Sequence, residues 1–190
     1  MLPYTFEVFS LDHIVSIIVI LFLFIIFLGY NDKIGIKDDS KTFLIVLSVL
    51  MIFLDLSEDL VRIFTGYYSI TKDLPLQLCS IGVYLAAFNL MYRNQTIFNL
   101  IFYWGFVGAT NAILTPDGDL FELRIFFFYS QGYHAALIFA VLWMMIKYDM
   151  RMDYRSILQV VIYTNIIVGL ITIVNYILDS NYMFLRVMPN

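Results

Sequence analysis

A single cysteine, Cys79, in 190 residues excludes an intramolecular disulfide framework and any cluster of thiolate metal ligands. Charge is scarce as well. Asp, Glu, Lys and Arg make up 14% of the chain and hydrophobic residues 62%, whereas soluble domains run at roughly 25% charged and 45–50% apolar. The net charge of −4 argues against electrostatic attraction to nucleic acid or anionic lipid as the main activity. Zincin, P-loop, nucleophile-elbow and dinucleotide patterns are missing, so neither a cofactor nor a resident metal is expected. The alternating ten-residue segments of an outer-membrane barrel are missing too. The first apolar stretch, 14–28, follows Glu7 and Asp12 rather than lysines and precedes no small-residue cleavage pattern, so it is expected to be a retained helix and not a signal peptide.

What is present is six apolar runs, at 13–30, 42–64, 74–92, 97–115, 125–146 and 157–178. A helix crosses the hydrocarbon layer with about 20 mostly apolar residues. The length therefore predicts an all-α polytopic transmembrane bundle of six helices, a single domain over 1–190 with short links. The breaks carry stop and start chemistry: Asn31-Asp32, Asp73-Leu74-Pro75 and the turn Thr115-Pro116-Asp117-Gly118. Lys33, Lys37, Lys41, Arg93, Lys147, Arg151 and Arg155 fall on one side, against Arg62, Lys72, Arg124 and Arg186 on the other. Positive-inside counting thus puts the N-terminus outside the cell membrane. The acids divide the other way, which makes the chain's acidity extracytoplasmic.

The buried polar residues collect in that same outer half. Asp55, Glu58, Asp59 and Arg62 are spaced i, i+3, i+4 and i+7, placing three carboxylates and a guanidinium on one stripe of the second helix. The stripe lines a polar cavity or, alternatively, forms an interfacial cluster in which Arg62 balances one carboxylate. Cys79, preceded by Gln77, is expected one to two turns inside the third helix. A helix N-terminus favours negative charge and suits a nucleophilic thiol, yet a lone cysteine also serves as a small buried hydrophobe. Gln131 and His134 lie deep in the fifth helix, where the imidazole is a general base or acid, a metal ligand or a hydrogen-bonded packing residue. No second histidine stands at i+3 or i+4, and His13 sits at the far end of the first helix, which weakens ligation. Asn111 and Asn175 share the outer half. Gly82 with Ala86, Gly105 with Ala109, and Gly132 with Ala136 form small-xxx-small pairs that predict close packing of helices three, four and five.

Leu74-Pro75-Leu76-Gln77-Leu78-Cys79, Trp104-Gly105, Ala112-Ile113-Leu114-Thr115-Pro116-Asp117, His134, Asn175-Tyr176 and Asn181-Tyr182-Met183-Phe184-Leu185, taken in order, resemble the YwaF-like integral membrane family. That family includes the eukaryotic transmembrane protein 164, and the resemblance covers roughly residues 50–188. It implies a bundle of about seven helices, one more than is legible here before Pro189-Asn190. In the eukaryotic branch it implies acyl transfer between phospholipids by a cysteine and a histidine, which match Cys79 and His134. Gln77 stands where many members carry histidine.

Two functions follow as expectations. In the first, a phospholipid acyltransferase or acyl hydrolase acts on membrane lipid in the outer leaflet, with His134 activating Cys79 and with Asn111 and Gln131 orienting or stabilising charge. The second is a non-enzymatic solute- or cation-binding transport subunit using Asp55, Glu58 and Asp59. The first helix lacks the alanine stripe by which such importer subunits dock.

Overall fold

The structure is a computed structural model described over residues 6–29, 40–117 and 121–187. The Asn31-Asp32 break with Lys33 and Lys37, Gly118 of the turn and Pro189-Asn190 lie outside the described residues. Among the described residues six rods form: α1 (Leu11–Gly29), α2 (Lys41–Thr65), α3 (Leu78–Tyr92), α4 (Gln95–Leu114), α5 (Arg124–Lys147) and α6 (Ile157–Leu178). Among the described residues there is no strand. The helical bundle predicted from patterning is present, with most boundaries within two residues of expectation.

Four of these rods, α1, α4, α5 and α6 with its leading turn, are long and apolar enough to cross a membrane. The chain is a helical membrane protein. α2 has the length but carries the charged stripe, and α3 has only 15 residues.

α3 departs from the prediction. The apolar run begins at Leu74, but the helix begins at Leu78, with Gln77 extended (φ −74°, ψ 147°) as its N-cap. Pro75 disfavours helical geometry at Leu74, and the side chain of extended Gln77 is engaged outside the helix by the Met183 N–H. Cys79 therefore sits in the first turn of α3 and not one to two turns inside it.

α4 contains a second departure. Residues Phe102–Val107 form a π-helical turn between two α-helical segments. Such turns widen the helix locally and occur frequently at functional sites.

α5 is the axis of the bundle. It is buried on several faces, with Phe126, Phe127, Leu137, Ala140, Trp143 and Met144 fully covered, and it packs against α1, α2, α3 and α4. α1 and α6 are peripheral; α6 buries only Val160, Ile171 and Asn175. Leu137 is wedged between α3 and α4. A Cβ added at Gly82 would stand 3.4 Å from Leu137 Cδ2, and one added at Gly105 would stand 2.9 Å from Leu137 Cγ. Gly132 opens the opposite side of α5 to Leu54 of α2. The glycines of all three small-residue pairs thus meet bulky side chains of neighbouring helices, which is what close packing without a hydrophobic driving force requires.

Gly105→Ala should overpack this wedge and cost about 1–3 kcal/mol. Thermal unfolding in detergent, compared with Gly108→Ala, where the new Cβ finds its nearest neighbour at 3.6 Å, checks it: Gly105→Ala melts lower.

Candidate functional site

The charged stripe of α2 is organised around Arg62. Its side chain is 7% exposed, and it donates from Nη1 to Glu122 Oε2 at 2.9 Å and from Nε to Glu58 Oε1 at 3.1 Å. Asp73 stands 3.6 Å from Nε, and the Phe126 ring lies under the guanidinium at 4.0 Å. Arg62 therefore answers three carboxylates, where the sequence alone suggested one. The extra two come from segments preceding α3 and α5 and were invisible to helix periodicity. Asp55 is buried and accepts a 2.7 Å bond from the Tyr84 hydroxyl of α3. Asp59 is partly buried and makes no hydrogen bond or ion pair among the described residues.

Cys79 faces the π turn of α4. Its Sγ lies 3.9 Å from the Trp104 carbonyl oxygen, at the long limit for a thiol donor, and a Cβ at Gly108 would stand 3.6 Å away. His134 is buried on α5 with Nδ1 2.8 Å from the Ser130 carbonyl. A carbonyl only accepts, so Nδ1 carries the proton and Nε2 presents a lone pair. Ser130 Oγ flanks the same nitrogen at 3.4 Å. Cys79 and His134 share no hydrogen bond. Tyr133 stands beside the imidazole, its ring centroid 4.1 Å from that of His134. The Ser130 contact was legible as an i, i+4 pair; the Trp104 carbonyl was not.

The other polar residues divide. Gln77 accepts from the Met183 backbone N–H at 3.0 Å. Asn175 is fully buried; its Oδ1 accepts from Ser180 Oγ and Tyr182 N, and its Nδ2 donates to the Tyr182 carbonyl. Asn175 closes the turn after α6 on its own helix, and Gln77 joins that turn to the start of α3. Tyr182 completes that lock, donating to the Ile70 carbonyl at 2.6 Å and accepting from Leu74 N–H at 3.0 Å. Burial raises its phenol above the ordinary value, so it stays a protonated donor. Asn111 is exposed on α4. Gln131 lies buried on α5 toward α1 and α2. His13 is committed elsewhere: Nδ1 accepts from Phe9 N–H and Nε2 donates to the Ile113 carbonyl. Among the described residues no three His, Cys, Asp or Glu side chains cluster closely enough to hold a metal.

The sequence model of the TMEM164 family matches residues 8–190. The chain belongs to the TMEM164 family. In this TMEM164-family bundle the segment from Leu74 to Cys79 is tied to the turn after α6 through the Leu74–Tyr182 and Gln77–Met183 bonds. Comparison with curated proteins and with solved structures gave no match.

Arg62→Met strands three carboxylates and should cost about 3–5 kcal/mol, read as a fall in the thermal midpoint of the purified protein. Tyr182→Phe leaves Leu74 N–H and the Ile70 carbonyl without their shared partner. It should cost about 1–3 kcal/mol and speed hydrogen exchange at Leu74.

Proposed function

We propose that this TMEM164-family protein is a lipid acyltransferase or acyl hydrolase, with Cys79 as nucleophile and His134 as its base. The observation that carries the reading is the His134 tautomer: Nδ1–H is held by Ser130, which leaves Nε2 free of partners among the described residues and able to take a proton. The π turn of α4 supports it, since its Trp104 carbonyl faces the Cys79 sulfur and such turns recur at functional sites.

Catalysis then runs in two halves. Nε2 accepts the thiol proton as sulfur attacks the ester carbonyl of a membrane lipid. The tetrahedral adduct collapses to a thioester, and the departing alkoxide takes the proton back from the imidazolium. A second hydroxyl, from an acceptor lipid or from water, attacks the thioester with Nε2 again as base and returns the thiol. Proton transfer needs a heavy-atom separation of about 2.6–3.2 Å, and such contacts tighten when substrate binds. The reading places this chemistry in the outer leaflet of the cell membrane, following the lysine and arginine count, with membrane lipid as the partner.

The test is lipidomics on membranes expressing wild type, Cys79→Ser and His134→Gln, joined to labelling by an acyl-mimicking electrophile. The expected result is loss of acyl remodelling and of labelling in Cys79→Ser, and a rate lowered by about 10²–10⁴-fold in His134→Gln. Acyl profiles and labelling identical across all three would overturn the proposal.

A further inference from the structure

A groove of about 640 Å³ runs between α1, α2 and α5, within the range of sites that take small molecules. It extends along α1 from Val15 to Phe27, about 18 Å at the helical rise. Phe24, Phe27 and Phe139 pack together at its far end. No charged side chain lines it, and the polar ones are Ser16 and Gln131. Ser16 uses its hydroxyl on the His13 carbonyl at 2.7 Å.

Gln131 is different. The residue is 3% exposed, and both Nε2 and Oε1 are buried without a hydrogen-bond partner. An amide left this way in an apolar wall is costly; among the described residues the other buried side-chain nitrogen and oxygen atoms without a partner are Ser10 Oγ and Trp143 Nε1. An amide offers a donor and an acceptor side by side. The group that answers both at once is a hydroxyl or an uncharged carboxyl; an ester, which only accepts, answers half.

We propose that this groove binds one long-chain amphiphile, a fatty acid or fatty alcohol, with its head paired to Gln131 and its chain running toward Phe139. A swing of the Gln131 side chain about its own torsions turns the amide to the ligand. The site is separate from the acyl-transfer chemistry above. Neither Cys79 nor His134 lines it, and at 100° per residue His134 lies about 130° around α5 from the groove face.

The experiment uses purified full chain in lipid nanodiscs and a diazirine-bearing palmitic acid as photolabel, with labelled peptides mapped by mass spectrometry. Label is expected on α1, α2 and α5. Palmitic acid or hexadecanol should compete, and whichever competes better identifies the head group; hexadecane and methyl palmitate should not. Gln131→Leu, which removes a polar group and should fold, is expected to lower labelling about tenfold, as is Ala136→Phe, which fills the groove. Cys79→Ser should label as wild type does, which separates this site from the catalytic proposal. Equal competition by methyl palmitate, or undiminished labelling of Gln131→Leu, would overturn the inference.

Discussion

Arg62 is where three stretches of chain are made to agree. A guanidinium buried near the end of α2 cannot be left to water, and the carboxylates that satisfy it come from its own helix, from the loop entering α3 and from the segment entering α5. Fixing Asp73 and Glu122 fixes the first turns of the helices that follow them. Those helices are the ones that carry Cys79 and the Ser130–His134 pair. The charge cluster thus ties the segments that lead into α3 and α5 to the end of α2.

α5 then separates two environments. One face presents Ser130, His134 and Leu137 toward α3 and α4, where Leu137 fills the space that Gly82 and Gly105 leave. Another presents Gln131, Gly132, Ala135 and Ala136 to the groove beside α1 and α2. One helix can carry both because nearly all of its circumference is covered, which removes the usual division into a core face and a lipid face.

The six runs, their order and the family were legible in the sequence because apolar length is dictated by bilayer thickness and because the motifs sit at fixed spacings. The stripe at Asp55, Glu58, Asp59 and Arg62 was legible as well, since helical periodicity sets it. Its closure was not, because Asp73 and Glu122 are distant in sequence. The start of α3 was misplaced because Leu74, Leu76 and Leu78 extend the apolar pattern through Pro75. The π turn has no local signature, although Gly105, which lies inside it, sits directly against Leu137 of α5. Gln77 and Asn175 read as cavity residues by polarity alone, whereas their amides are occupied by backbone groups around Tyr182.

The brevity of α3 has a consequence for how its start is held. Fifteen residues rise about 22 Å, roughly 8 Å less than the hydrocarbon layer. Irregular backbone is tolerated at that depth only against protein, and Leu74 to Gln77 meet this condition through Tyr182 and Met183. The depth of the first turn of α3 is therefore set by the turn after α6, to which Leu74 and Gln77 are bonded, and not by the length of the helix itself.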